Sequence, residues 1–206
     1  WSYSPATRRV RRAPDIKYDN LVNAAPLSVV DQYGTFNGDQ DKYNWEVKGI
    51  KKRIVPGISN AMGDNSLDKT HGVGHLNPEY VHFEEKEVAI VHATLKEGQR
   101  HLYASRTFYV TTDGYNIVAQ DIYDGQGNLM RNAINTISTD IAGAEGECYI
   151  NGEDTFDFAT RKYAGNNMIG NAINSQHALY GGPSRDVSIC NTDGLGRYEL
   201  VDRAEV

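Results

Sequence analysis

The stretch Val88-Ala89-Ile90-Val91-His92-Ala93-Thr94-Leu95, with the turn Lys96-Glu97-Gly98-Gln99-Arg100 and the run Leu102 to Thr111 behind it, decides the fold. The first run is rich in β-branched residues, which suit a pleated, half-buried surface. The second carries Tyr103, Phe108, Tyr109 and Val110. Asp113-Gly114 is a strong hairpin signal. Beyond it, Ile117 to Tyr123 reads as a third strand, Asp124-Gly125-Gln126-Gly127-Asn128 as a turn, and Leu129 onward as a fourth strand. Strands at this spacing with short turns predict an antiparallel meander. Residues 88–95, 102–111 and 117–123 should be consecutive neighbours.

Alternation in the second run is interrupted. Leu102, Ala104, Phe108 and Val110 share one face, broken by Arg106, while Tyr103, Ser105, Thr107, Tyr109 and Thr111 share the other. A semi-polar Tyr/Thr face either lines a groove or is a solvated outer surface. Tyr103, Phe108 and Tyr109, with Val91 and Ile122, are the candidates for contact with an apolar ligand.

Working outward, Tyr43 to Val55 reads as a strand pair with Trp45 and Val47 alternating, and 56–79 as a long loop rich in Gly, Asn, Asp and Ser. Such a loop is often a binding element. After residue 140 the pattern weakens. Asn166-Asn167 and Gly181-Gly182-Pro183 look loop-like, and 168–179 is a candidate short helix. At the other end Trp1-Ser2-Tyr3 looks like part of a strand and Pro5-Ala6-Thr7 a turn. A strand starting so abruptly is expected to pair with upstream sequence, a partner, or a second copy of the chain through its edge.

The 206 residues can bury a core without staples. Twenty Gly against six Pro, and thirteen Tyr among the aromatics, favour short strands and tight turns. A net charge of −6 argues against general nucleic-acid binding. Cys148 and Cys190 allow one disulfide in an oxidising compartment, or two buried thiols.

Catalytic signatures of the G-x-S-x-G, P-loop and H-E-x-x-H types are missing. No catalytic residue, metal site or cofactor is expected. His71 and His75 have the i, i+4 spacing of metal ligands, but the glycines between them disfavour a helix. His75 is expected to serve the loop before Asn77-Pro78 instead. His82 and Glu84 share a strand face and suit a structural pairing. Arg8, Arg9, Arg11 and Arg12 form the densest charge run. With Trp1 they are candidates for contact with a partner or with phosphate headgroups, or they guard an edge strand.

Several segments together resemble the bacterial envelope family called domain-of-unknown-function family 1329. They are Tyr3-Ser4-Pro5 with Arg8-Arg9-Val10-Arg11-Arg12-Ala13-Pro14; Phe36-Asn37-Gly38 with Asp41, Tyr43 and Trp45; and Gly49-Ile50-Lys51-Lys52 with Val55-Pro56. Gly74-His75-Leu76-Asn77-Pro78, Ala93-Thr94-Leu95-Lys96-Glu97-Gly98 with Arg100-His101, and Tyr123-Asp124-Gly125-Gln126-Gly127 complete the set. Their order runs through residues 1 to about 132, leaving 141–206 as a poorly matched extension. The resemblance implies a periplasmic or outer-membrane-associated protein with a fold similar to the lipoprotein carriers LolA and LolB. That fold is a mainly β, curved antiparallel sheet, an unclosed barrel with helices against its concave face and room for acyl chains. It implies companionship with envelope export systems, and no catalytic residue to carry over. Family members are longer, so the chain is expected to be one domain, the C-terminal part of a larger protein. Three functions compete: a non-catalytic carrier for a lipid or another hydrophobic compound, an assembly subunit working through sheet edges, and a hydrolase or metal enzyme using His71, His75, His82 or Glu84.

Overall fold

The computed structural model describes residues 2–12, 15–22, 25–32, 34–59, 61–62, 67–139, 148–167 and 198–201. Trp1, Cys190 and the candidate helix at 168–179 lie outside them, and so does the disulfide question.

Among the described residues twelve strands follow in chain order: β1 Ser2–Ser4, β2 Arg9–Arg11, β3 Leu21–Val22, β4 Ala25–Val29, β5 Tyr43–Pro56, β6 Phe83–Leu95, β7 Ser105–Thr111, β8 Ile117–Tyr123, β9 Leu129–Thr139, β10 Cys148–Asp157, β11 Lys162–Asn167 and β12 Tyr198–Val201. The last eight form one sheet in the order β12-β11-β10-β9-β8-β7-β6-β5, every pairing antiparallel. Helical structure among the described residues is confined to short pieces such as Leu67–Thr70. The fold is therefore mainly β, an antiparallel sheet with β5 and β12 as its edges.

The meander forms in the order read, but its second strand begins at Ser105 rather than Leu102. β6, β7 and β8 are consecutive neighbours, in the register Val91↔Phe108 and Phe108↔Gln120. Gly98 and Gly127 supply positive φ (78° and 82°) in two of the turns. At Asp113-Gly114 the left-handed residue is Tyr115 (φ 54°) rather than the glycine. In the turn after β8, one Asp124 carboxylate oxygen accepts from the amides of Gln126 and Asn128, both at 2.8 Å.

The sheet curls. Val55 of β5 packs in one cluster with Val88, Ile90, Val118 and Ile137, although Ile137 lies on β9, four strands away in sheet order. The inside of the curl is covered by the segment 57–82. Met62, Leu76 and Val81 pack there with Tyr163, and Ile58 bridges to Ile137. Much of the opposite face is covered by a strap, residues 27–37, whose Val29 packs against Tyr103 and Ile122.

Two expectations are corrected. Tyr43 to Pro56 is one fourteen-residue strand, not a pair, because the β-bulge at Lys48-Gly49 (φ 115° at Gly49) absorbs the break in alternation. Asn166-Asn167 are strand residues, both paired to β10, and Asn166 is also paired to Tyr198 of β12. β1 pairs on one side with β2 of the same chain, Ser2↔Arg11, Tyr3↔Val10 and Ser4↔Arg9, and its other side is an edge of this two-stranded sheet.

Candidate functional site

The face under the strap is polar where a sandwich core would be apolar. Arg106, the residue that broke the alternation of its strand, is wholly buried. Its Nη2 donates to both carboxylate oxygens of Asp31 at 2.7 and 2.6 Å and to the Tyr43 hydroxyl at 3.2 Å. Its guanidinium lies over the rings of Tyr103, Phe36 and Tyr43, 4.8–5.6 Å from their centroids. His101 Nδ1 accepts from the Tyr103 amide, so Nε2 carries the proton and donates to Asp31 at 3.0 Å. Burial pushes the Asp31 carboxyl up, but His101 and Arg106 outweigh it and hold it below the ordinary range.

Further along the strap, Gln32 Nε2 donates to Glu153 at 2.6 Å and Thr155 at 2.7 Å, while its Oε1 accepts from the Tyr103 hydroxyl at 2.9 Å. The Thr35 amide donates to Glu153 at 2.9 Å, and Asn135 Nδ2 bonds the Thr35 hydroxyl. Burial drives Glu153 up to about 7, with the hydrogen bonds from Gln32, Thr35 and Thr155 offsetting only part. Arg131 joins Asp157 (2.9 Å) to the Leu27 carbonyl (2.9 Å) and so ties the start of the strap to β10.

On the inside of the curl, His71 Nε2 meets Asp154 at 2.7 Å and Nδ1 meets the Thr70 hydroxyl at 2.8 Å, with the ring stacked on Tyr163. Thr70, His71 and Asp154 are all buried, so this Thr-His-Asp set is closed to solvent. It fastens the covering segment to β10. Burial raises the Asp154 carboxyl, and His71 offsets part of that. His75 does serve its loop, with Nδ1 bonded to the Leu76 carbonyl at 2.7 Å. His82, exposed, and Glu84, half-buried, stand 3.9 Å apart. Among the described residues no cluster of three or more His, Cys, Asp or Glu is arranged for a metal.

The residues singled out for an apolar ligand divide. Tyr103, Phe108 and Ile122 are buried beneath the strap, and Val91 packs beside Phe108. Tyr109 packs on the opposite face, in the cluster with Val88 and Ile90. They do not converge on one opening.

The open apolar surface lies on β5. The register puts Trp45, Val47, Ile50 and Ile54 on the side of the sheet that carries Ala93, Val91 and Ala89, the strap's side. Val47, Ile50 and Ile54 are 68%, 61% and 68% exposed, and Phe83, paired to Pro56, is also exposed. Trp45 anchors the strap end of the stripe. It stacks on Phe108 at 5.9 Å and meets Phe36 edge-on at 5.3 Å. One ion pair, Lys52–Glu85 at 2.9 Å, crosses the stripe. Alternation in the sequence marks Trp45 and Val47, but it shifts by one at the bulge, which hides Ile50 and Ile54. Near the other end of the strap, a shallow open groove of about 490 Å³ is lined by Asp19, Leu21 and Gln99 to Leu102.

Comparison with known proteins places the chain. A curated relative, an uncharacterised protein of Pseudomonas aeruginosa, is 39% identical over 134 residues, covering 64% of this chain and 30% of the relative. The chain thus spans under a third of that relative's length. Two solved structures are similar at low identity. One is a DUF1329 family protein from Desulfovibrio piger (14% identity, 78% of this chain and 52% of that one, TM-score 0.45). The other is a Vibrio parahaemolyticus domain described as an outer membrane lipoprotein-sorting protein (11% identity, 77% and 52%, TM-score 0.47). The model for the protein family of unknown function DUF1329 matches residues 1–184, well past the segments quoted above, and the chain belongs to that family.

Proposed function

We propose that this domain is a non-catalytic binding module of the bacterial envelope that lays a lipid acyl chain or another hydrophobic compound along the β5 stripe. The observation that supports it is the run Trp45, Val47, Ile50 and Ile54: large apolar side chains in one row, most of them mainly exposed, on an edge strand of the sheet. Exposed apolar rows of this kind mark binding surfaces. The polar strap network lies beside the row, on the same face, and meets it at Trp45 through Phe36. Trp45, fixed by Phe36 and Phe108, gives the row a preorganised aromatic end.

The test is native mass spectrometry of the purified chain, followed by organic extraction and lipid analysis. A lipid-sized adduct on the wild type that is absent from Ile50→Lys supports the proposal. An adduct unchanged in Ile50→Lys, or none on either protein, contradicts it.

A second reading has its own observation. β5 is an edge strand of fourteen residues, and edges can accept a further strand. Lys48, Lys51, Lys52 and Arg53 crowd its middle. Antiparallel pairing with a second copy about that middle would bring like charges together, so the assembly reading calls for an acidic partner strand.

A further inference from the structure

We infer that the β1–β2 hairpin is a docking element for anionic phospholipid surfaces. Residues 1–12 contain Arg8, Arg9, Arg11 and Arg12 and no Asp or Glu. With −6 on the whole chain and +4 here, the rest of the molecule carries −10. The charge is segregated, so an anionic surface is attracted to the hairpin and repelled by the body.

The hairpin is also physically apart. It is a two-stranded sheet of its own, and every residue from 3 to 12 is exposed. A lone two-stranded hairpin is marginal in water and gains order by lying against a surface. Tyr3 and Val10 are cross-strand partners, 59% and 61% exposed, and form one apolar face. Arg9 and Arg11 flank Val10 on the other face, and Arg8 sits in the turn with φ 51°. Arg12 pairs with Asp15 at 3.3 Å, whereas Arg8, Arg9 and Arg11 have no ion pair among the described residues.

This combination fits a lipid interface. Guanidinium groups bind phosphates through a rigid fork of donors. Tyr suits the zone between headgroup and acyl chain, because its ring is apolar and its hydroxyl polar. Long Arg side chains reach phosphates while a small apolar face settles among the headgroups. A soluble polyanion would use the charges and leave Tyr3 and Val10 idle.

The experiment is co-sedimentation of the full chain with vesicles of phosphatidylcholine alone and of phosphatidylcholine with phosphatidylglycerol, at low and high salt. Binding is expected only to the anionic vesicles, and it should weaken as salt rises. Each Arg removed should cost about fivefold, so Arg9→Gln/Arg11→Gln should lose about 25-fold. Tyr3→Ser/Val10→Ser should weaken vesicle binding without changing its salt dependence. Lys96→Gln/Arg161→Gln removes two exposed cations elsewhere and should bind as the wild type. The hairpin buries little, so all variants should keep the wild-type melting temperature. Equal binding to neutral vesicles overturns the inference. So does an equal loss in the Lys96/Arg161 variant, an Arg9/Arg11 variant that binds normally, or binding to duplex DNA with none to anionic vesicles.

Discussion

One face of the sheet carries two regions built by opposite rules. Under the strap, β7 to β10 present Arg106, Gln120, Asn135 and Glu153, all buried and all polar. A few strands away, β5 presents Val47, Ile50 and Ile54, apolar and exposed. The buried half is a permanent contact, because each polar side chain has a partner fixed by the same chain and a loose fit would strand a charge. The exposed half has no such obligation and is free to meet something else. The inversion teaches that polarity does not mark the surface of this domain. It marks where the strap is locked, and hydrophobicity marks where the sheet is open.

The locked half can be broken most severely at Arg106. Arg106→Met leaves the Asp31 carboxylate buried beside His101 alone, and a loss of about 3–5 kcal/mol is expected in urea unfolding. Asp31→Asn combined with Arg106→Met should recover part of it, since the double change removes both charges. A double variant as unstable as the sum of the singles would show that the pair is not the lock.

The pH response sharpens the same point. Glu153 is raised from 4.5 to about 7 by burial, so its folded-state pKa lies above its unfolded one. The folded state then holds the proton more tightly, and the stabilisation is complete below about 4.5 and lost as pH rises through about 7. The change amounts to roughly 3 kcal/mol. Asp31 acts oppositely: its pKa is depressed, so its contribution is present above the ordinary 3.8 and lost as pH falls. Stability should therefore peak in mild acid and fall toward neutral pH. Glu153→Gln should flatten that fall, which a series of thermal melts from pH 4 to 8 would read. Melting temperatures that rise steadily to pH 8 in the wild type would mean that Glu153 is ionised throughout.

On the inner face, a methyl group on Gly165 would collide with His71 Nε2 and come within 2.6 Å of Asp154 Oδ1. Gly165→Ala is expected to cost about 1–3 kcal/mol. It should also expose the segment 57–82 to proteolysis. A variant as stable and as protected as the wild type would show that the His71–Asp154 contact does not fasten that segment.

How much of this could be read from sequence follows the same division. The meander from Val88 to Tyr123 obeyed propensity and turn chemistry, and its strands and order were readable. β10 and β11 were not. Asn151-Gly152-Glu153-Asp154 and Gly165-Asn166-Asn167 contain poor strand formers; β10 holds because Gln32, Thr35 and His71 from distant segments satisfy Glu153 and Asp154 on its two faces, and β11 pairs with β10 in turn. The Thr-His-Asp set had one visible half, His71, while Asp154 lies 83 residues away and carried no signal. Arg106 was seen as an interruption, when it was the core of the strap contact. The β5 stripe was hidden by one inserted residue at the bulge, which shifts the apolar positions from odd to even numbers.

The open half gives the smallest effect on stability and the most direct test of function. Val47→Lys and Ile50→Lys alter exposed side chains, so each should change unfolding free energy by no more than about 0.5 kcal/mol. Trp45 stands at the end of the stripe and is one of two tryptophans. In a Trp1→Phe background, titration with a fatty acid brominated along its chain therefore reports on Trp45 alone. The account predicts saturable quenching of Trp45 that weakens at least tenfold in Ile50→Lys. Quenching that is absent, or identical in the two proteins, would contradict it.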